Sequence, residues 1–295
     1  MRIEVEHRTT YRYSEPVRLG PHTLRLRPRL QGNLRELHFA LRIEPTPALR
    51  HEALDAEGNR VTRLCFFDVP TERLEIVSLF AVESDDSDGG RLPAGLCQPT
   101  VLPLAYPPDE ARLVDSYRES AAGSGSDSGP VRHLAETLAR QAGGDPLAFL
   151  STLNTHLHIH IRREIRELGA AHSPEHTLRS GVGACRDQTL LFLAAARSQG
   201  LAGRFVSGYQ ERSALATPER HLHAWPEVYL PGIGWQGFDP TRGIPTGAGH
   251  VAVAAARDPE GAMPVSGGYF GAAGSQLSYA VWIRAGSAGG ISPSV

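Results

Sequence analysis

The sequence predicts an α+β protein in which an N-terminal β-rich domain precedes a domain of helices and strands. Apolar and polar residues alternate with period two through the first 84 residues, which is typical of strands with one buried face. Helical segments are then predicted over 131–139, after Asp145-Pro146 and over 186–199, after which period two returns. The length of 295 residues fits about two domains. We therefore expect a β-domain over 1–84, linker and loop segments over 85–130, and a second domain over 131–295.

Composition excludes several classes of protein. There are 30 Lys and Arg residues and 32 Asp and Glu residues, which gives a net charge of −2 and does not favour a nucleic-acid partner. The 3 cysteines, Cys65, Cys97 and Cys185, are too few for a disulfide scaffold or a Cys-rich zinc module. Residues 1–7 alternate charged and apolar residues, so we expect no secretory leader, and no apolar run reaches membrane-spanning length. We expect a cytoplasmic protein with no membrane partner.

The first domain is expected to resemble an antiparallel β-sandwich. Period-two alternation is clearest at 37–43 and 74–80, and turn signals such as Glu57-Gly58-Asn59 separate the strands. Two polar segments, 83–90 and 120–129, have the composition of solvated loops or flexible connections.

The second domain begins with predicted helices. Pro130 suits the first turn of a helix over 131–139, and Asp145-Pro146 suits the cap and first position of the next. A third helix is predicted over 186–199, followed by strands from Arg204 onward and a last strand over 277–283. These elements indicate helices packed on an antiparallel sheet.

Cys185 lies in a glycine-punctuated turn, Gly181 to Ala184, that runs directly into the third predicted helix. Unpaired backbone N–H groups at a helix N-terminus favour an anion, so this position can lower a thiol pKa and can stabilise an oxyanion. Asp187, two residues further on, is predicted to cap the same helix. Cys65 and Cys97 lack such a placement and are expected to be bystanders, whereas Cys185 is either a nucleophile or a small core residue.

A thiolate nucleophile needs a base, and the base needs an orienting partner. His223 lies on one predicted strand and Asp239 ends the next, with a turn over 231–234 that predicts a hairpin. For both side chains to share a face, the residue numbers of each opposed pair must have an even sum. Pairing Leu230 with Trp235 gives an odd sum, so we expect an odd-length loop or a bulge.

These three motifs, in this order, closely resemble the bacterial transglutaminase-like proteins. Cysteine lies in G-x-G-x-C-R-D, histidine in H-A-W-x-E-V-Y and aspartate in G-W-x-x-F-D-P-T, and the similarity is strongest over 181–243. The first strand contains His7-x-Thr9-x-Tyr11, as the N-terminal β-domain of this family often does. The stretch from 250 to 258 is also similar to a family element.

The resemblance implies a papain/transglutaminase-like catalytic core in which a helix-borne cysteine packs on an antiparallel sheet. It implies Cys185 as the nucleophile, His223 as general base and acid, and Asp239 as the group that holds the imidazole. The implied reaction is thiolate attack on an amide of a peptide or protein, followed by acyl transfer to water or to an amine. No cofactor or metal is implied for this chain, which has no calcium-type acidic loop.

Two alternatives stay open. His156, His158 and His160 are among 13 histidines, and on a strand they would aim three imidazoles to one face, as a zinc or copper site requires. The chain could instead be a non-catalytic binding module that keeps the transglutaminase-like fold. Oligomeric state does not follow from the sequence.

Overall fold

The protein was analysed as a computed structural model that describes residues 1–32, 34–84, 101–119, 129–166, 169–211 and 219–286. Cys97 and most of the polar segments 83–90 and 120–129 lie outside these ranges. Nowhere within them is there a helix long and apolar enough to cross a membrane.

The N-terminal region consists of strands, because period-two sequences place every second side chain on the buried face. The strands are β1 (Arg2–Leu24), β2 (Leu34–Glu44), β3 (Leu49–Leu54), β4 (Arg60–Cys65) and β5 (Thr71–Ser84). The first half of β1 pairs with β5, and its second half pairs with β4. An apolar core cluster contains residues from both halves, including Tyr13, Leu24, Leu64 and Leu74.

The second region begins with helices, and most of its strands follow them. The α-helices are α1 (Pro108–Val114), α2 (Gly129–Gln141), α3 (Pro146–His160), α4 (Pro174–Ser180) and α5 (Cys185–Ser198). Short strands β6 (Arg162–Arg163) and β7 (Val182–Gly183) pair in parallel. The other strands are β8 (Gly203–Gln210), β9 (Glu219–Arg220), β10 (His223–Leu230), β11 (Gly234–Asp239), β12 (Ile244–Pro245), β13 (His250–Ala256), β14 (Val265–Phe270) and β15 (Ser275–Gly286), with 3₁₀ turns at Asp115–Tyr117 and Pro259–Ala262.

The helix starts match their sequence signals. Pro130 lies in the first turn of α2, and the Asp145 side chain caps α3 by accepting a hydrogen bond from the backbone N–H of Ala148 at 2.6 Å. The antiparallel sheet of this region has the order β12-β11-β10-β8-β13. Helices α2, α3 and α5 supply one large apolar core cluster with Val228, Leu230 and Phe238 of the sheet. The α+β fold with an N-terminal β-rich region is confirmed.

The chain returns to the N-terminal sheet at its end. Strand β15 pairs with the first half of β1 from Arg2↔Gly286 to Tyr13↔Ser275, and β14 pairs with the second half. Ile3 and Val5 of β1 share an apolar cluster with Tyr209, Val251 and Val253 of the second sheet. The two regions are therefore packed against each other, and strands of the N-terminal sheet line part of the site described below.

A buried ion pair joins the two central strands of the second sheet. The Arg204 guanidinium donates to a Glu227 carboxylate oxygen from Nε at 2.8 Å, and it stacks over Trp235 at 4.2 Å from the ring centroid. The side chains are only 6% and 9% exposed. Removing one partner of such a pair leaves an uncompensated buried charge.

Glu227→Ala is therefore expected to lower the free energy of unfolding by about 3–5 kcal/mol, measured by urea denaturation. Glu6→Ala is the matched control, because Glu6 pairs with Arg8 on the exposed face of β1 at 3.3 Å and such pairs contribute roughly 0–1 kcal/mol. Equal losses in the two variants would contradict the assignment of Arg204–Glu227 as a structural pair.

Candidate active site

Cys185 is the first residue of α5, so its backbone N–H has no acceptor within the helix. The turn before it is fixed by the fully buried Asp187, whose carboxylate accepts from the backbone N–H of Ala184 at 2.8 Å and of His172 at 2.7 Å. Arg166 donates to both oxygens of the same carboxylate at 2.8 Å. The predicted capping role of Asp187 is confirmed, and its effect is to hold the thiol-bearing turn in place.

His223 begins β10 and Asp239 ends β11, and the hairpin between them has the predicted parity. Leu230 pairs with Gly234, so residues 231–233 form the loop and the opposed residues have even sums. The expectation of an odd-length loop is confirmed. His223 and Asp239 consequently share a face, and the His223 Nε2 lies 2.9 Å from Asp239 Oδ2.

The Asp239 carboxylate is fully buried and accepts hydrogen bonds on both oxygens. Oδ1 accepts from the backbone N–H of Thr241 at 3.1 Å and from its hydroxyl at 2.6 Å. Oδ2 accepts from Gln210 Nε2 at 2.9 Å and lies 3.2 Å from His250 Nε2, in addition to its contact with His223. Burial alone would raise the pKa of Asp239, but the charge and hydrogen bond of His223 hold it far below its usual range. Asp239 is therefore an anion fixed in orientation.

Cys185 and His223 stabilise each other's charged forms. Burial alone would raise the pKa of the Cys185 thiol, but the hydrogen bond and charge of His223, with a further hydrogen bond from the Ala224 backbone, lower it below its ordinary value. Burial opposes the charge on His223 as well, but Asp239 and Cys185 raise the pKa of His223 to about 9. Near neutral pH the arrangement favours a thiolate beside an imidazolium, which is the reactive form of a cysteine nucleophile.

His250 is a second partner of Asp239 to which the sequence assigned no role. Its Nδ1 accepts from the backbone N–H of Gly247 at 3.3 Å, so Nε2 carries the proton that is donated to Asp239. Burial lowers the pKa of His250, which keeps the ring neutral although it faces a carboxylate. Its position within a segment that resembles a family element was the available signal, and the pairing of β13 with β8 supplies its partner.

His250→Ala is expected to reduce kcat by roughly 10-fold while changing KM little, because Asp239 loses one of the hydrogen-bond donors that orient it. The measurement is steady-state turnover on whichever amide substrate is established. His250→Gln, which keeps a donor, is the control and should retain more activity than the alanine variant. Identical activity of His250→Ala and the wild type would contradict a role for His250 in orienting Asp239.

The three histidines that offered an alternative metal site do not form one among the described residues. His156, His158 and His160 lie on helix α3, where the helical recurrence of buried Phe149, Leu150, Leu153, Asn154 and Leu157 overrides any strand pattern. His156 and His160 lie on one face of the helix with their ring centroids 4.3 Å apart, whereas the His158 Nδ1 donates to the carbonyl of Thr241 at 3.2 Å. The alternative of three imidazoles on one strand face does not hold, because the segment is helical, and His158 supports the loop after Asp239.

One group of potential metal ligands occurs among the described residues, formed by Glu164, His172 and Asp187. Arg166 already occupies both Asp187 oxygens and also donates to Glu164 at 2.8 Å. The positive charge that these carboxylates require is thus supplied by a guanidinium, and the donor set does not fit a cation.

A cavity of about 750 Å³ opens beside Cys185. It is lined by Cys185 and His223 on one side and by residues of the N-terminal sheet, among them Thr9, Tyr11 and Tyr279. The alternation of β1 that the sequence predicts therefore directs His7, Thr9 and Tyr11 toward the site. Cys65, by contrast, is exposed at the end of β4 and does not line the cavity.

Comparison with known proteins agrees with this architecture. Residues 3–83 match the family model of the bacterial transglutaminase-like N-terminal region. Residues 132–240 match the transglutaminase-like superfamily, and this stretch contains Cys185, His223 and Asp239. The uncharacterised protein ML0607 of Mycobacterium leprae is 27% identical over 300 residues, which cover 96% of this chain and 98% of the relative. The uncharacterised protein Rv2569c of Mycobacterium tuberculosis is 27% identical over 288 residues, which cover 90% of this chain and 87% of the relative.

Among solved structures, a proposed cysteine protease from Cytophaga hutchinsonii has the same fold. It superposes with a TM-score of 0.67 at 19% identity, covering 96% of this chain and 90% of that one. The likeness in fold spans both the N-terminal and the second region of this chain. The chain belongs to the transglutaminase-like superfamily and carries the N-terminal region of its bacterial members.

Proposed function

We propose that this protein is a cysteine-dependent enzyme that attacks an amide carbonyl with Cys185 and forms a thioester. The observation that carries the proposal is the mutual stabilisation of a Cys185 thiolate and a His223 imidazolium, with His223 held at 2.9 Å from the buried Asp239. A structural cysteine in the core has no need of such partners. This set of charged partners favours an enzyme over a non-catalytic binding module with the same fold.

In the first half of the reaction, the thiolate adds to the amide carbon and the carbonyl oxygen becomes an oxyanion. The backbone N–H of Cys185, at the start of α5, is positioned to donate to that oxygen. His223 then gives its proton to the amide nitrogen, the C–N bond breaks, and ammonia or an amine leaves. The products are a thioester on Cys185 and a neutral His223.

In the second half, water or an amine attacks the thioester carbon. Neutral His223 takes a proton from the attacking group, the C–S bond breaks, and the thiolate and imidazolium return. Asp239 stays ionised throughout, because it accepts hydrogen bonds from Thr241, Gln210 and His250 as well as from His223. Hydrolysis and transamidation differ only in the group that enters this step.

The proposed substrate is a peptide or a segment of a protein. A cavity of about 750 Å³ lies within the usual size range of ligand sites, and it has room for the reacting residue and its neighbours. Tyr11 and Tyr279 of the N-terminal sheet provide aromatic surface on one wall of this cavity. We keep the cytoplasm as the proposed location, since reducing conditions there preserve a free thiol.

The test is incubation with a library of glutamine-containing peptides and a labelled primary amine, followed by mass spectrometry. Deamidation or cleavage would identify hydrolysis, and incorporation of the amine would identify transamidation. Cys185→Ala should lose every product, whereas Cys65→Ala should keep them. Products that persist in Cys185→Ala, or a complete lack of products with the wild type, would contradict the proposal.

A further inference from the structure

Four arginines, Arg163, Arg166, Arg186 and Arg197, line the cavity that contains the nucleophile. Arg166 is held by Asp187 and Glu164. Arg197 donates to backbone carbonyl oxygens, at 2.7 Å in the case of Gly203, and Arg186 also has a partner. The guanidinium groups of Arg166 and Arg197 are therefore bound within the protein, and Arg186 also interacts there.

Arg163 differs from the other three. Within the part of the chain that the structure describes, its guanidinium makes no hydrogen bond or ion pair. It is half-buried, and its positive charge contributes to the lowered pKa of Cys185. A guanidinium group that is partly desolvated and unpaired beside a reacting centre is suited to bind an anion from outside the protein.

The backbone around Arg163 is fixed relative to the nucleophile. Arg163 pairs with Gly183 in the short parallel ladder of β6 and β7, two residues before Cys185. The N–H of Arg162 donates to the carbonyl of Gly181 at 2.8 Å, and the N–H of Glu164 donates to the carbonyl of Gly183 at 3.1 Å. Because strand side chains alternate, Arg162 is exposed while Arg163 lines the cavity.

The carboxylates that line the cavity do not neutralise Arg163. Glu164 pairs with Arg166 at 2.8 Å, and Asp258 pairs with Arg257 at 2.8 Å. Glu260 is exposed, on the 3₁₀ turn that packs against β8 and β13. The positive charge beside Cys185 is thus left for the substrate.

We infer that Arg163 binds a carboxylate of the substrate, so that the enzyme selects an acidic peptide segment whose carboxylate lies next to the reactive amide. A planar guanidinium can hold that carboxylate through two parallel hydrogen bonds. These bonds would raise the affinity for the substrate and would also orient the carbonyl next to the carboxylate. The inference rests on the proposed function, because it takes Cys185 as the nucleophile.

Alkylation tests the inference without a known substrate. Iodoacetate and iodoacetamide react with the same thiolate, so the ratio of their rates at Cys185 does not depend on the thiolate fraction and reports the charge next to Sγ. Arg163→Gln is expected to lower the iodoacetate-to-iodoacetamide ratio on the order of 5-fold relative to the wild type, and added salt should reduce the ratio of the wild type more than that of the variant. Arg163→Lys should retain most of the ratio.

Arg162→Gln is the matched control, because it removes the same charge from the exposed neighbour on the same strand. Thermal unfolding of each variant checks that it is folded, and Arg163→Met, which also removes the charge, provides the measurement if Arg163→Gln is not. An unchanged ratio in folded Arg163→Gln, or an equal fall in Arg162→Gln, would overturn the inference while leaving Cys185 as the nucleophile. Alkylation of Cys185 no faster than that of Cys65 would instead overturn the proposed function, and the carboxylate site with it.

The peptide library provides a second measurement. Wild-type products should be enriched in Asp or Glu next to the reacting glutamine, Arg163→Gln should lose this enrichment, and Arg163→Glu should reverse it in favour of Lys or Arg. Products without acidic enrichment from the wild type would contradict the inference.

Discussion

Replacing Cys185 by alanine is expected to reduce turnover by at least ~10³-fold, because the thioester cannot form without the thiol and the remaining groups only bind and polarise the amide. Serine at this position should be nearly as inactive, since its hydroxyl is not ionised by His223 at neutral pH. Cys65→Ala is the matched control, because Cys65 is exposed and outside the cavity.

The same cysteine should be distinguished by its reactivity. At about pH 6, an ordinary thiol with a pKa of about 8.5 is less than about 1% ionised, whereas the thiol of Cys185 has a lowered pKa. We expect iodoacetamide to modify Cys185 at least ~10-fold faster than Cys65, as measured by peptide mass spectrometry over time. Equal rates would exclude an activated thiol at position 185.

Asp239→Asn is expected to have the second largest effect, a loss of roughly 10²–10⁴-fold in kcat. Asparagine has nearly the same shape but lacks the negative charge that raises the pKa of His223 to about 9. In addition, its NH₂ group would face donors from Thr241 or from Gln210 and His250. His223 would lose both its orientation and the stabilisation of its protonated form.

The pH profile separates these two consequences. In the proposed mechanism the active form contains a Cys185 thiolate and a His223 imidazolium, so we expect activity to rise as pH passes the lowered pKa of Cys185 and to fall as pH passes about 9. In Asp239→Asn the falling limb should move to lower pH, because the imidazolium loses its counter-charge. A variant whose activity falls while both limbs stay in place would contradict an electrostatic role for Asp239.

Much of the site could be predicted from the sequence, since its signals are local. The glycine-punctuated turn before Cys185 marks a helix start, and the parity of the hairpin decides whether His223 and Asp239 share a face. His156, His158 and His160 show where this reasoning fails. Histidines alternate with apolar residues there, as in a strand. The segment is nevertheless the end of helix α3, because Leu153 and Leu157 are buried at helical spacing.

The sequence alone determined the order of elements, the cysteine at a helix N-terminus and its two downstream partners, because each depends on periodicity, capping or residue type along a short stretch. Only the tertiary structure decided that His250 supports Asp239, that β14 and β15 complete the N-terminal sheet, and that Arg163 lines the cavity without a hydrogen bond or ion pair to any described residue. These features join residues from 11 positions apart, for Asp239 and His250, to opposite ends of the chain, for Arg2 and Gly286. Such contacts arise from the packing of whole sheets and leave no periodic trace in the chain.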